Sequence, residues 1–230
     1  MSPARAKTTD EAILDAAARL LESGGIDALT MQAVAAEVGV RAPSLYKRVR
    51  DRAALVRAVQ EAAATELAAA LSGAATGPDP RADIVAMADA FRAFAHRRAG
   101  VYGLLFAALP DEMRVSPETN EAAVAPLFRA LSALVPGGGR EGGDDTTGTT
   151  GTTGTTDATD ATGATDATGA TGTTEPAGGP LEAARLLVAF AHGFVTMELA
   201  GAFRLGGDVD RAWRMGVATI VDAVAAGPPR

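Results

Sequence analysis

The segment Gly137–Pro180 most constrains the fold, because it divides the chain and cannot contribute to a core. It begins glycine-rich, continues as Thr-Thr-Gly, Asp-Ala-Thr and Gly-Ala-Thr triplets, and ends at Pro180. Between Thr146 and Thr174 no residue is both large and apolar. Such a segment buries nothing that would offset the entropy of ordering it, so we predict a disordered, acidic, low-complexity linker.

The negative charge of the chain is concentrated in this predicted linker. The net charge is −7, and residues 141–175 hold seven acidic residues and no basic one, so the rest of the chain is neutral overall. The segment Arg41–Arg57 carries six basic residues and a single acid, Asp51. An acidic overall composition therefore does not exclude nucleic acid as a partner, because a local basic patch remains.

The composition excludes several classes of protein and of site. The chain has no cysteine, which excludes disulfide scaffolds, thiol catalysis and Cys-ligated zinc, and its two histidines leave little for a metal site. We therefore expect no metal and no cofactor. The first residues are polar rather than apolar, and no uncharged apolar run approaches the ~18 residues of a membrane span, so we expect a soluble, cytoplasmic protein.

The remaining sequence favours helix throughout and predicts an all-α fold. Ala, Leu, Glu and Arg dominate, and no two-residue alternation of polar and apolar residues appears. Thr8 and Glu11 form a capping-box pattern at the start of the first helix, and Gly24-Gly25 would end it. Proline and glycine positions predict further helices at about 51–72, 80–97, 99–108, 118–135, 181–204 and 209–225.

Two short predicted helices are joined by a turn at Gly39, the position of a left-handed C-terminal cap. Thr30 would cap the first, whose inward residues are Met31, Val34, Ala35 and Val38. The second, about Ala42–Val49, would bury Ala42, Leu45 and Val49 and expose Ser44, Lys47 and Arg48, with Tyr46 and Arg50 at the flanks. This is the pattern of a helix-turn-helix, in which basic side chains neutralise phosphates and hydroxyls bond phosphate oxygens. The spacing alone would also suit a solvated basic helix of a structural bundle.

The N-terminal pattern, over about residues 9–57, resembles the DNA-binding domain of TetR-family transcriptional regulators. The resemblance rests on Ile13-Leu14, Gly24-Gly25, Leu29-Thr30-Met31, Val38-Gly39-Val40 and Leu45-Tyr46. It implies three N-terminal helices with the third in the major groove, an all-helical regulatory domain and homodimers. The residues it implies as DNA contacts are Thr30, Arg41, Pro43, Ser44, Tyr46, Lys47, Arg48 and Arg52. Many relatives have Ser at the position of Arg41, so here the third helix is expected to lack a side-chain cap.

The C-terminal part, with Ala191-His192-Gly193-Phe194, looks like the His-Gly-containing C-terminal domain of one TetR-family branch. Leu186–Phe203 is apolar nearly all round, and the last helix has one apolar stripe, which suits a four-helix dimer interface. The candidate interface residues are Phe194, Leu199, Phe203, Trp213, Val217, Ile220 and Val221. The same stripes would also suit a core within one chain.

The resemblance also implies that the middle helices line an effector cavity. The candidate lining residues are Phe91, Phe94, Tyr102, Phe106, Phe128 and His192, although plain core packing is the alternative for each and a hydrogen-bonded structural role for His192. The predicted organisation is a helix-turn-helix domain at 1–50, regulatory helices at 51–136, the linker at 137–180 and regulatory or dimerisation helices at 181–230.

The predicted function is a homodimeric repressor that leaves a palindromic operator in double-stranded DNA when a small apolar effector binds. One alternative is a helical interaction module without sequence-specific DNA binding. A small-molecule-processing enzyme is less favoured, because the sequence has no nucleophile elbow, phosphate-binding glycine loop or metal-ligand cluster.

Overall fold

A computed structural model of the protein describes residues 9–135 and 179–227. Within them it has nine α-helices, one short 3-10 turn and no strand, so the all-α prediction is confirmed. The helices are α1 (Asp10–Ala28), α2 (Met31–Glu37), α3 (Ala42–Leu45), α4 (Arg52–Ala74), α5 (Pro80–Arg97), α6 (Ala99–Leu105), α7 (Pro117–Leu134), α8 (Pro180–Leu199) and α9 (Val209–Ala226), and the turn is Asp111–Met113. The linker prediction lies outside the described residues, except for residues 179 and 180.

Helix α1 begins one residue later than the capping-box prediction. Thr9 has extended backbone angles, and its hydroxyl accepts the Ala12 N–H at 3.1 Å, so the predicted pair of Thr8 and Glu11 is wrong. The predicted glycine stop is a kink rather than the end of the helix, because Gly25 has φ 67° and interrupts the regular helix, which resumes up to Ala28. This left-handed conformation is one that glycine adopts without a steric penalty.

The turn between α2 and α3 has the predicted geometry. The Thr30 hydroxyl caps α2 by accepting the Ala33 N–H at 3.1 Å, and Gly39 has φ 72°. The Val40 N–H donates to the Ala35 carbonyl at 2.9 Å and the Gly39 N–H to the Ala36 carbonyl at 3.1 Å. These two bonds form a Schellman motif, which fixes the direction in which the chain enters α3.

Helix α3 is shorter than the predicted Ala42–Val49. Regular helix ends at Leu45, although the Val49 N–H still donates to the Leu45 carbonyl at 3.0 Å. The chain is extended at Asp51, which has φ −159°. The Asp51 carboxylate then caps α4 by accepting the Ala54 N–H at 2.8 Å. Arg41 makes no side-chain cap, as the departure from the family pattern predicts.

Helix α4 connects the three N-terminal helices to the rest of the chain. Its 23 residues span about 35 Å. Leu55 and Val56, near its start, are fully buried in the core shared with α1–α3, and its later turns pack against α5 and α7. Helices α8 and α9 complete the second part by packing on α5 and on each other.

Helix α8 differs from its prediction at both ends. It begins at Pro180, which we predicted as the end of the linker, because proline is favoured in the first turn of a helix. It ends at Leu199 rather than near 204, because Gly201 has φ 62° and the Ala202 N–H donates to the Met197 carbonyl at 2.9 Å. No helix in the described part of the chain has the length and apolar character needed to cross a membrane.

Candidate nucleic-acid interface and internal cavity

Helix α3 and the turn after it present a basic and hydroxyl-rich surface. Leu45 anchors the helix with a side chain that is 1% exposed, while Ala42 and Val49 are half-buried. The exposed residues are Arg41, Pro43, Ser44, Tyr46, Lys47, Arg48 and Arg50. The predicted inward and outward faces therefore agree with the structure, and we call these seven residues the α3 surface.

Acidic neighbours partly neutralise two of the arginines on the α3 surface. Arg48 donates to Asp10 in the first turn of α1 at 2.8 Å, and Arg50 donates to Asp51 at 2.7 Å. The pKa of Asp51 lies below its usual value, mainly because its carboxylate accepts the Ala54 N–H and secondarily because it accepts a hydrogen bond from Arg50. Within the described residues, Arg41 and Lys47 form no ion pair with an acidic side chain. Their charges therefore remain available to an anionic partner.

Two of the other predicted DNA contacts also have roles within the protein. The Thr30 hydroxyl caps α2, although the residue is exposed. The Arg52 guanidinium donates to the carbonyls of Leu29 at 2.8 Å and Ile26 at 2.7 Å, so it holds the turn that follows the kink at Gly25. Sequence reasoning missed this role because the carbonyls lie more than 20 residues away. DNA contact by all eight residues stays a prediction.

A cavity of about 140 Å³ lies between α4, α5, the end of α6, α7 and α8. Its lining is formed by Ala64, Leu67, Leu71, Met87, Ala88, Phe91, Leu105, Phe106, Val115, Asn120, Ala123, Val124, Leu127, Leu187, Val188 and Ala191. Asn120 is the one polar side chain among them. Asn120, Val124 and Phe106 are exposed at the mouth, whereas Ala123, Met87 and Ala191 are buried, so the interior is apolar.

Of the six candidate effector residues, the structure places Phe91 and Phe106 in the cavity wall. Phe94 is fully buried in the core, and Phe128 lies partly exposed on α7. His192 stands behind Phe106, with its ring centroid 4.3 Å away in a stacked arrangement.

A hydrogen bond of 2.7 Å joins His192 Nδ1 to the Tyr102 hydroxyl. Burial raises the pKa of Tyr102 to about 12, so the phenol is neutral at physiological pH. Tyr102 and His192 both pack on Phe106 in the cavity wall, but neither of them lines the cavity itself. In the part of the chain that the structure covers, no group of three His, Asp or Glu side chains could hold a metal ion.

A charged network joins α5 to α8 and α9. Arg92 Nε donates to Glu198 at 2.9 Å, Arg92 Nη2 lies 2.7 Å from Asp210, and His96 Nε2 lies 2.9 Å from Glu198. The hydrogen bond from Arg92 is the main reason that the pKa of Glu198 falls to about 2. Sequence reasoning missed this network, because 106 residues separate Arg92 from Glu198.

The predicted dimer residues fall into two groups. Trp213, Val217 and Val221 are buried in the chain's own core, because α9 packs this stripe against α5 and α8, so they cannot present a surface to a second copy. Phe194 and Ile220 are half-buried, whereas Leu199 and Phe203 are exposed. Further exposed apolar side chains on α8 and α9, which sequence reasoning did not single out, are Leu181, Leu186, Met197 and Met215.

Comparison with known proteins shows what this arrangement is similar to. The model of the tetR family of bacterial regulatory proteins matches residues 13–59, and that of the tetracyclin repressor-like C-terminal domain matches residues 84–220. An uncharacterized HTH-type transcriptional regulator of Mycobacterium tuberculosis is 32% identical over 131 residues, which cover 56% of this chain and 59% of that protein. The match thus spans about three fifths of the relative's length.

Solved structures share the fold. A protein with unknown function from Rhodococcus sp. RHA1 has a TM-score of 0.68 and 22% identity over 98% of this chain and 100% of its own. A TetR variant from Acinetobacter baumannii in complex with minocycline has a TM-score of 0.59 and 19% identity over 94% of this chain and 96% of its own. With both family models matching in the expected order, the chain belongs to the TetR family of bacterial regulatory proteins.

Proposed function

We propose that the protein is a homodimeric repressor that binds a palindromic operator through the α3 surface and is released when a small apolar effector enters the cavity. The observation that carries the proposal is the α3 surface itself. Its basic and hydroxyl side chains project from α3, from the residue before it and from the turn after it, which the buried Leu45 and the Schellman motif at Gly39 hold in place. Such a helix fits the major groove, where cations neutralise phosphates and arginine can bind guanine.

The DNA-binding part of the proposal is tested with Lys47, whose charge has no acidic partner among the described residues. DNA from the region upstream of the gene is titrated with protein at several salt concentrations, and binding is followed by fluorescence anisotropy. We expect Lys47→Ala to weaken binding and to reduce the salt slope by about one. Arg129, an exposed arginine on α7, provides the control, and Arg129→Ala should change neither quantity. Absence of any salt-sensitive, sequence-selective binding would overturn the proposal.

The dimer part of the proposal rests on the apolar side chains that α8 and α9 leave exposed. Met215 is 66% exposed and Leu186 is 52% exposed, and burial of such side chains against a second copy removes apolar area from water. We expect Met215→Asp to convert a dimer to a monomer in sedimentation velocity at micromolar concentration. Tyr46→Asp, which also replaces an exposed side chain but on the α3 surface, should leave the dimer intact. A wild-type monomer would contradict this part.

The effector part of the proposal rests on the apolar cavity. An engineered apolar cavity of about 150 Å³ binds benzene, so a compound of that size fits here without rearrangement. We expect toluene to raise the melting temperature, and benzoate to raise it less, because no basic side chain lines the cavity to pair with a carboxylate. Ala191→Leu, which fills the cavity, should abolish the effect of toluene. No toluene effect on the wild type would count against an effector of this class.

The alternatives lead to different results in the same measurements. A helical interaction module would give no sequence-selective DNA binding, and an enzyme would turn over the compound that fills the cavity. No observation on the structure favours either of them. A DNA-binding repressor would act in the cytoplasm, where its operator lies.

A further inference from the structure

Helix α6 is a seven-residue helix that contacts both the cavity and the DNA-binding helices. At its C-terminal end Leu105, and Phe106 directly after it, form part of the cavity wall. At its N-terminal end Gly100 rests on the backbone of α1, since a Cβ on Gly100 would lie 2.6 Å from the carbonyl carbon and oxygen of Leu21. One short element therefore lies between the cavity and α1.

A carboxylate from α1 holds the N-terminal end of α6. Glu22 accepts the Gly100 N–H at 2.6 Å and lies 3.4 Å from the Val101 N–H. Arg98 is the residue before the helix, and its Nη1 donates to Glu66 on α4 at 2.6 Å. Its Nε lies 3.9 Å from Glu22 Oε1. The start of α6 is thus attached to α1 through Glu22 and to α4 through Glu66.

The cavity end of α6 cannot shift without disturbing its neighbours. The Phe106 ring packs 5.0 Å from the Tyr102 ring and 6.1 Å from the Phe91 ring, in addition to stacking on His192. Because close-packed side chains transmit strain, we expect a group that enters beside Phe106 to shift the end of α6.

Helix α1 in turn holds the elements that form the α3 surface. Asp10 in its first turn pairs with Arg48 at 2.8 Å, and Arg19 pairs with Glu37 at the end of α2 at 3.0 Å. A movement of α1 relative to α6 therefore also shifts the ion pairs that join α1 to the end of α2 and to the turn after α3.

We propose that Glu22 is a positioning residue that couples occupancy of the cavity to the orientation of α1 and, through it, of the α3 surface. This role rests on the proposed function, and it names the residue through which occupancy of the cavity changes the position of the α3 surface. Glu66 provides the matched comparison, because it is also a glutamate linked to α6 through Arg98, but it stands on α4. The two residues distinguish a route through α1 from a route through α4.

The test uses an occupant built into the chain, so that no effector has to be known. Ala191→Leu fills the cavity from α8, and Ala123→Leu fills it from α7 should the first variant fail to fold by circular dichroism. The affinity for the upstream DNA is measured with and without the filling substitution in four backgrounds: wild type, Glu22→Ala, Glu22→Gln and Glu66→Ala.

Filling the cavity should lower the DNA affinity about tenfold in the wild type, within the usual range of allosteric coupling. In Glu22→Ala the loss should be about twofold or less, because the hydrogen bonds from the start of α6 to the Glu22 carboxylate are then absent. Glu22→Gln keeps an oxygen that can accept the Gly100 N–H, the shorter of the two bonds, so it should retain most of the tenfold effect, as should Glu66→Ala. An undiminished effect in Glu22→Ala, or its loss in Glu66→Ala, would overturn the proposal.

A second measurement separates this inference from the proposed function. Amide hydrogen exchange over Leu20–Gly24 at the end of α1 is compared with and without the filling substitution, in the absence of DNA. We expect the substitution to change these exchange rates in the wild type and to leave them unchanged in Glu22→Ala. Failure to bind DNA would reject the repressor alone, whereas an equal response in both backgrounds, or none in either, would reject the role of Glu22.

Discussion

Substitution of Glu198 by glutamine should destabilise the protein in a pH-dependent way. Glu198 is 16% exposed and accepts from Arg92, which also lies beside Asp210. The hydrogen bond from Arg92 comes first among the causes that lower the pKa of Glu198, and His96 acts in the same direction. The ionised carboxylate of Glu198 therefore stabilises the packing of α8 against α5.

The magnitude follows from the pKa of Glu198, which is about 2 in the folded protein and 4.5 without these interactions. At about 1.4 kcal/mol for each pKa unit, the difference corresponds to a folding contribution of about 3 kcal/mol. Because glutamine keeps an acceptor for Arg92, we expect Glu198→Gln to lower the free energy of unfolding by about 2 kcal/mol at neutral pH.

The folded pKa lies below the unfolded one, so the contribution is complete above about pH 4.5 and disappears as the pH falls through about 2. Urea unfolding at pH 7, 5 and 3 measures the difference between wild type and variant. The protein concentration is kept constant, because the stability of the proposed dimer would depend on it. We expect similar differences at pH 7 and 5 and almost none at pH 3, because the wild type has by then lost about 2 kcal/mol of the contribution of ionised Glu198. Glu182→Gln, on the same helix and 3.8 Å from Arg185 at the surface, should cost less than about 0.5 kcal/mol. A difference that does not change with pH would refute the reasoning.

Three further predictions follow from close contacts. Gly216→Ala should destabilise the protein by about 1–3 kcal/mol in urea, because its Cβ would overlap the Phe190 ring, whereas Gly73→Ala, with nothing within 4 Å, should be neutral or stabilising. Gly100→Ala should lower the melting temperature through its clash with Leu21, and Gly103→Ala in the same helix should not; equal effects would contradict the packing of α6 on α1. Arg52→Ala should cost about 1–3 kcal/mol of stability, because the Ile26 and Leu29 carbonyls lose their donor. An unchanged salt slope of DNA binding in that variant would show that the role of Arg52 is internal.

The parts of the fold that sequence predicted are those set by neighbouring residues. The cap at Thr30, the left-handed Gly39 and the inward side chain of Leu45 each depend on residues a few positions away. A threonine before a helix and a glycine after it act locally, so their pattern is visible in one sequence. The error of one residue at Thr9 arose because two adjacent threonines can both serve as the cap.

The parts that sequence could not predict are those that depend on which elements meet. The stripe of Trp213, Val217 and Val221 correctly indicated a buried face, but periodicity does not distinguish the chain's own core from a second copy. The aromatic residues chosen for the cavity included Phe94, which points into solid core, while the wall is mostly aliphatic. The contacts of Glu22 with α6 join residues 78 and 79 positions apart, and nothing in the local pattern marks them.

Four of the residues around the cavity are alanines, namely Ala64, Ala88, Ala123 and Ala191. Replacement of any of them by a larger apolar residue fills empty space, and filling of cavities is one of the common routes to a more heat-resistant protein. A laboratory selection for thermal resistance alone would therefore favour variants whose cavity no longer admits the proposed effector. If such a selection replaces these four alanines by larger residues, their small size in this chain reflects a requirement for an open cavity rather than for thermal stability.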